Sequence, residues 1–232
     1  MMRGFLTLAI LSLAAQASVA QARPPVVVEL FTAQGCASCG KADAYQASLT
    51  ADKSVLPLTF AVDYWDYLGW KDTFAKPEFS DRQRAYDKRF GVAEVYTPQV
   101  VVDGRVQASA AKTETVAALV QGERRAFVDP PYMRWHGDTV AIGEGRRPVG
   151  GAGVWLVRYD PRETTVQVKD GDNRGHTVGE RNVVVQLTRL GAWRGRPEML
   201  KLPPPPQEGL KTVVLVQGDN GGKILGLLTE KP

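Results

Sequence analysis

Two cysteines, Cys36 and Cys39, are separated by only two residues and are the only cysteines in the 232-residue chain. A valine-rich run over residues 26–31 precedes them and predicts a buried strand. Apolar residues then recur at helical spacing as far as Leu49, which predicts a helix starting around the cysteines. We therefore expect the pair to lie at a strand-to-helix turn, a placement that constrains the fold around it.

A cysteine pair this close together is a poor structural staple. A disulfide that closes a very short loop removes little entropy from the unfolded chain. At the start of a helix, unpaired main-chain N–H groups and the helix dipole favour a thiolate. We therefore expect Cys36 to attack a partner and Cys39, one turn inside the helix, to resolve the mixed disulfide.

The N-terminus resembles a secretory signal peptide. Arg3 precedes an apolar stretch over residues 5–15, and small residues follow as far as Ala22. The stretch is shorter than the roughly 20 apolar residues that span a bilayer, and no later segment reaches that length. We expect residues 1–22 to be removed, leaving a periplasmic or secreted protein without stable membrane insertion. The alternative is an uncleaved N-terminal anchor.

The charge pattern argues against a nucleic-acid partner. The formal net charge is +4, and the basic residues are interspersed with acidic ones. Phosphate binding needs clustered lysine and arginine side chains on one face. The charged residues between positions 81 and 89 are typical of the solvated face of an amphipathic helix.

The order of predicted elements indicates two domains in an α/β chain. Residues 23–126 predict the order β-α-β-α-β-β-α, which fits a central mixed sheet flanked by helices, as in a thioredoxin-like domain. Within it, Gly91 is a helix stop and Asp103-Gly104 is a hairpin turn. Residues 130–232 consist of short alternating runs between glycine, aspartate and asparagine clusters, which predicts a small antiparallel β-sandwich or barrel-like domain.

Two further segments are candidates for substrate binding. Thr97-Pro98 directly precedes a predicted strand and resembles the thioredoxin pattern, in which a cis proline faces the cysteine pair. A trans proline at the start of an edge strand is the alternative. Asp63, Trp65 and Trp70 follow the second predicted strand, where ligands of open α/β sheets gather, so we expect them near Cys36. Alternatively, these tryptophans only pack a loop.

Several motifs resemble one known family. They are E-L-F-T-A-Q-G-C-A-S-C, V-D-Y-W-D-Y-L-G-W-K-D, Q-R-A-Y and V-Y-T-P-Q-V-V-V-D-G, with N-V-V-V-Q-L-T-R-L-G-A-W further on. The chain is similar to an exported bacterial family of thioredoxin-like fold that is catalogued as a domain of unknown function (DUF1223). Gly40-Lys41 departs from the proline that commonly follows the second cysteine.

The thioredoxin likeness also implies a role for Glu29. Thioredoxins keep a buried carboxylate near this position that moves protons for the resolving cysteine, although the loop of this chain is one residue longer. The alternative is a carboxylate at the edge of the sheet, because alternation along a strand does not tell which face Glu29 occupies.

The leading functional expectation is a thiol–disulfide oxidoreductase acting on a protein or small-molecule thiol or disulfide partner, with no cofactor beyond the Cys36–Cys39 disulfide. One alternative is a copper(I)-binding or copper-delivery protein, because soft thiolates suit Cu(I). Met133 and Met199 are the only further soft ligands after the signal peptide. The other alternative is a binding module with an inert disulfide.

Overall fold

The computed structural model describes residues 23–126 and 129–230, so the predicted signal peptide lies outside the described residues. The strands are β1 (Val26–Thr32), β2 (Val55–Ala61), β3 (Gln99–Val102), β4 (Val106–Ser109), β5 (Met133–His136), β6 (Thr139–Ile142), β7 (Ala152–Gln167), β8 (Thr177–Trp193), β9 (Glu198–Lys201), β10 (Lys211–Gly218) and β11 (Ile224–Thr229). The helices are α1 (Gly40–Ser48), α2 (Pro77–Phe90) and α3 (Thr113–Arg125).

One mixed sheet of eight strands runs through the described part of the chain, in the order β11-β10-β7-β8-β2-β1-β3-β4. β1 is parallel to β2 and antiparallel to β3, and both β1 and β2 are buried along their whole length. Their β-branched and aromatic residues suit a central strand that is covered on both faces.

Three layers build the core. α2 packs on one face of the large sheet, with Phe79 and Tyr86 among the buried side chains. On the other face, α1 and α3 cover β1 and β3. The three-stranded sheet β5-β6-β9 covers β7 and β10 on that same side, where Trp193 is buried.

The C-terminal strands therefore do not form a separate sheet. The sequence predicts short strands in this region, but β7 and β8 are long, and β7, β8, β10 and β11 continue the sheet of the N-terminal segment. The two facing sheets give a sandwich-like packing, and the described residues contain no closed barrel. The fold is a mixed α/β architecture with few helices.

β2 and β8 join the two halves of the large sheet through a short contact. The only residue pair in the parallel ladder between them is Thr59 with Val183. Pro57 lacks an N–H group, and its carbonyl instead accepts from the side-chain amide of Asn182 at 2.8 Å. The Thr59 hydroxyl donates to the carbonyl of Arg181 at 2.7 Å. Side-chain hydrogen bonds thus supplement the single main-chain pair between β2 and β8.

The predicted helix stop and hairpin turn are confirmed, and their residues have positive φ angles. Gly91 ends α2 with a φ of 69°, and Asp103 and Gly104 have φ values of 48° and 60°. Two successive positive φ angles are typical of the tight turn that joins two antiparallel strands, here β3 and β4. Thr113 is the first residue of α3, and Lys112 occupies the N-cap position before it.

Candidate functional site

The two cysteines form a disulfide between the end of β1 and the start of α1. The Cα atoms of Cys36 and Cys39 are 5.5 Å apart. The N–H of Cys36 donates to the carbonyl of Ala33 at 3.0 Å, and the N–H of Cys39 donates to the carbonyl of Cys36 at 3.1 Å. α1 begins at Gly40, so Cys36 lies in a turn just before the helix and Cys39 is the residue that precedes its first turn.

Both cysteines are fully buried, with 0% of each residue exposed. Ala37 and Ser38, which lie between them, are exposed. A partner that approaches this turn therefore meets Ala37 and Ser38 first and reaches sulfur only after some local opening.

The Thr97–Pro98 peptide bond is cis, as predicted. Trp65 connects this segment to the disulfide turn. Its indole Nε1 donates to the hydroxyl of Thr97 at 2.8 Å. Its Cβ lies 3.6 Å from the position that a side chain at Gly35 would take. Trp65 is half-buried and packs against the hydrophobic cluster that contains both cysteines.

Gln34, two residues before Cys36, is the centre of a hydrogen-bond network. Its main-chain N–H donates to Asp72 at 2.7 Å, and its side-chain oxygen accepts from the indole of Trp70 at 3.0 Å. Its side-chain amide donates to the hydroxyl of Thr73 at 2.8 Å and to Glu180 at 3.4 Å. The network fixes the chain that leads into the disulfide turn.

Asp63, Trp65 and Trp70, which were expected to lie near Cys36, differ in their contacts. Trp65 and Trp70 contact the residues that flank the disulfide, whereas Asp63 accepts a hydrogen bond from Ser80 at the start of α2. Tyr67, between the two tryptophans, is 81% exposed. An exposed tyrosine is available for contact with another molecule.

The tip of the β7–β8 hairpin covers the disulfide turn. The side-chain amide of Asn173 donates to the carbonyl of Gln34 at 2.8 Å and to the carbonyl of Cys36 at 3.0 Å. Gly171, near the same tip, packs against Leu68 and Trp70. We call residues 169–176 the hairpin tip. It holds the turn closed through contacts between residues more than 130 positions apart.

Replacing Asn173 with alanine is expected to speed the reduction of the disulfide by dithiothreitol about 30-fold, because two hydrogen bonds of about 1 kcal/mol each no longer hold the closed tip. The rate is measured by alkylation and mass spectrometry. Arg174→Ala, in the same exposed loop, is the matched control and should leave the rate unchanged. Equal rates for Asn173→Ala and wild type would contradict a covering role.

Three carboxyl groups are buried close to the disulfide turn. Asp43 lies one helical turn after Cys39, and its N–H donates to the carbonyl of Cys39 at 3.0 Å. Burial raises the pKa of Asp43 to about 7, opposed by the Thr32 hydroxyl and supported by the charge of Asp72. Burial also raises the pKa of Glu180 well above its usual value, with Asp43 and Asp72 adding repulsion. These groups therefore favour the protonated form more than exposed carboxyls do.

Asp43→Asn is expected to flatten the pH dependence of stability. The folded state keeps a proton at Asp43 that the unfolded chain, with the ordinary aspartate pKa of 3.8, releases above that pH. The stability from this proton is therefore full below pH 3.8 and lost as pH rises through about 7. The full span is about 4 kcal/mol. Urea unfolding at pH 5 and pH 8 should show a larger stabilisation by Asp43→Asn at pH 8.

The control for this measurement is Asp81→Asn, at an exposed site on α2. It should change stability by nearly the same small amount at both pH values, since substitutions at exposed surface positions usually have small effects. Equal shifts at pH 5 and pH 8 for Asp43→Asn would refute the assignment of a protonated Asp43.

Glu29 is fully buried and already has partners on α2. Its Oε1 accepts from Nε and Nη2 of Arg82 at 2.9 and 2.7 Å, and its Oε2 accepts from the hydroxyl of Tyr86. Gln217 donates to the same hydroxyl at 2.8 Å. Arg82 and Asp87 are buried, so the expectation that the charged residues of α2 form a solvated face is wrong for these two.

Sequence reasoning missed Asp43, Glu180 and Asn173. Only Asp43 carried a local signal, since it is an acidic residue that follows Ala42 on the inner side of a helix. Among residues 23–126 and 129–230, no group of three or more histidine, cysteine, aspartate or glutamate side chains is arranged to hold a metal ion. No helix in the same residues has the length and apolar character needed to cross a membrane.

Comparisons with solved structures give two informative similarities. A structural-genomics target from Agrobacterium tumefaciens is 32% identical, with a TM-score of 0.71 over 90% of this chain and 95% of that one. HBP35 of Porphyromonas gingivalis is 14% identical, with a TM-score of 0.54 over 89% of this chain and 74% of that one. At that identity the second similarity shows a shared fold alone.

No curated protein matches the sequence. The family model described as "Protein of unknown function (DUF1223)" matches residues 27–217. That match spans β1 and the disulfide turn as well as β7, β8 and most of β10, so it includes both the cysteine pair and the hairpin that covers it. The chain belongs to the DUF1223 family.

Proposed function

We propose that this protein is an exported thiol–disulfide oxidoreductase whose N-terminal part is thioredoxin-like. The observation that carries the proposal is the Cys36–Cys39 disulfide at a strand-to-helix turn, linked through Trp65 to the cis Thr97–Pro98 bond. The strand order β2-β1-β3-β4, with α1 and α3 on one face and α2 on the other, supports the same assignment. The proposed location is the periplasm or the medium, from the signal-like residues 1–22.

The proposed reaction exchanges one disulfide for another. The thiolate of reduced Cys36 attacks one sulfur of a partner disulfide, and the other partner sulfur leaves as a thiolate. The thiolate of Cys39 then attacks the sulfur of Cys36 in the mixed disulfide, so the partner leaves with two thiols and the chain regains its disulfide. The partner gains two electrons and the protein loses two; the reverse sequence oxidises a dithiol.

Asp43 is the acid–base group proposed for this exchange. It lies one turn after Cys39, and its pKa of about 7 suits proton transfer near neutral pH. Glu29, the group expected from the sequence, is held by Arg82 and Tyr86 instead. In this proposal Glu29 stabilises the contact between β1 and α2.

The proposal is tested by an insulin-reduction assay in dithiothreitol. The protein is expected to accelerate precipitation of the insulin B chain in proportion to its concentration, and Cys36→Ser is expected not to. A wild-type protein no faster than dithiothreitol alone would reject the activity on protein disulfides.

One observation favours a second candidate, a binding module with an inert disulfide. Both sulfur-bearing residues are 0% exposed beneath the hairpin tip, and reactive cysteines are usually at least partly exposed. The two candidates differ in the effect of Asn173→Ala. Faster disulfide reduction and faster exchange with partners in Asn173→Ala favour the oxidoreductase, whereas a disulfide that resists dithiothreitol in both proteins favours the inert one.

A further inference from the structure

A groove of about 450 Å³ lies between α1 and the start of β8. One wall consists of small residues at helical spacing, which are Ala37, Gly40, Ala44 and Ala47. The other wall is formed by residues 177–180 of β8. Because Ala37 lies between the two cysteines, the groove ends at the disulfide turn. Side chains this small leave room for another main chain to approach α1 closely.

The β8 edge that faces this groove lacks a strand partner among the described residues. β8 pairs with β7 along residues 177–181, but its ladder with β2 consists of the single pair at Val183. The carbonyl of Arg181 points away from β7, because it accepts from the Thr59 hydroxyl on β2. Main-chain groups repeat their direction every two residues along a strand, so the N–H and C=O groups of Gly179 and Thr177 also point away from β7. In the described residues these groups have no strand partner, as at the edge of a sheet.

Two exposed acidic side chains and one buried carboxyl group select the occupant of the groove. Glu163, Asp172 and Glu180 line it, with His176 as the only basic side chain among the lining residues. Glu180 is 2% exposed, and its Oε1 has no hydrogen-bond partner among the described residues. A buried carboxyl oxygen without a partner is costly and is satisfied when a donor enters the groove. An arginine or lysine side chain supplies such a donor.

We propose that this groove binds an extended polypeptide segment that carries a basic side chain. The segment adds a strand to β8 by pairing with Thr177 and Gly179, and its basic side chain reaches Glu180. This places the segment beside Ala37, so a cysteine at its end would meet the disulfide turn. A basic polypeptide is thus the substrate class for the proposed oxidoreductase. Only the assignment of the bound peptide as a redox substrate rests on that proposed function, because peptide binding itself requires no disulfide exchange.

The experiment measures binding of fluorescein-labelled peptides to the oxidised full mature chain by fluorescence anisotropy. The probe is a ten-residue peptide without cysteine that alternates threonine or valine with arginine, and its partner probe has glutamate in place of arginine. Ala44→Trp fills the groove from α1, and Ala118→Trp places the same side chain on exposed α3 as a matched control. Amide chemical shifts of Thr177 and Gly179 report where the peptide lies.

The arginine peptide is expected to bind at least about tenfold more tightly than the glutamate peptide, and Ala44→Trp is expected to weaken it at least about tenfold while Ala118→Trp has no effect. The amides of Thr177 and Gly179 should shift. Absence of binding, equal binding of both peptides, or binding that Ala44→Trp leaves unchanged would overturn the inference. Peptide binding without insulin reduction would contradict the proposed activity but would still support the peptide-binding groove.

Discussion

Cys36→Ser is expected to reduce the rate of thiol–disulfide exchange by at least about 1000-fold, the scale of losses seen when an enzyme nucleophile is removed. Serine keeps nearly the same volume but does not form a thiolate at neutral pH, so the variant should fold normally and fail chemically. The reaction is followed by mixing reduced protein with oxidised glutathione and quenching with an alkylating agent. Far-ultraviolet circular dichroism checks that the variant is folded.

Cys39→Ser is the matched variant for this prediction. It retains the attacking thiol and lacks the resolving one, so it should accumulate a mixed disulfide between Cys36 and glutathione. Mass spectrometry detects the adduct. The assignment of roles would be reversed if Cys39→Ser reacted slowly and Cys36→Ser accumulated the adduct on Cys39.

Arg82→Leu is expected to lower the free energy of unfolding by about 3–5 kcal/mol, because it leaves the carboxylate of Glu29 buried without its charged partner. The side chains of Arg82 and Glu29 are 5% and 1% exposed, and the guanidinium also lies 5.3 Å from the centre of the Tyr86 ring. Urea unfolding, followed by tryptophan fluorescence, measures the loss.

Two controls separate burial from charge in this prediction. Arg84→Leu removes the exposed pair with Asp81 and should change stability by less than about 1 kcal/mol. Glu29→Leu/Arg82→Leu removes both charges together and should recover most of the loss, since two apolar side chains then fill the site. A single Arg82→Leu loss as small as that of Arg84→Leu would mean that water already compensates the charge of Glu29.

Local sequence patterns predicted the features that depend on neighbouring residues. The strand before Cys36, the helix after Cys39, the stop at Gly91 and the Asp103-Gly104 turn each follow from the properties of a few consecutive residues. The cis bond at Pro98 was expected from the resemblance to the thioredoxin pattern, since a proline directly before a strand also fits a trans bond.

Features that depend on distant residues were not predictable in the same way. The junction of β2 with β8 depends on Pro57 meeting Asn182, and no periodicity in either strand indicates that meeting. For this reason the C-terminal strands suggested a separate domain, although they continue the central sheet. The apolar segments of β7 and β8 were recognisable, but the pairing that makes them one long hairpin was not.

The candidate site shows the same division. Cys36, Cys39 and Trp65 were identified from their motifs. Asn173 lies in a polar hairpin turn whose sequence does not indicate its contact with Cys36. Glu29 was noted as a candidate from its place in the first strand. Its partner could not be inferred, because Arg82 lies in a helix whose charges looked solvated.

The central claim is that the Cys36–Cys39 disulfide is a working redox couple, and its reduction potential tests this most directly. Oxidised protein is equilibrated in glutathione buffers of graded ratio, quenched with an alkylating agent, and the reduced fraction is read by mass spectrometry. We predict a reversible couple between about −120 and −270 mV, the range of known exchange proteins. A potential below about −300 mV, typical of structural disulfides in secreted proteins, would contradict the claim.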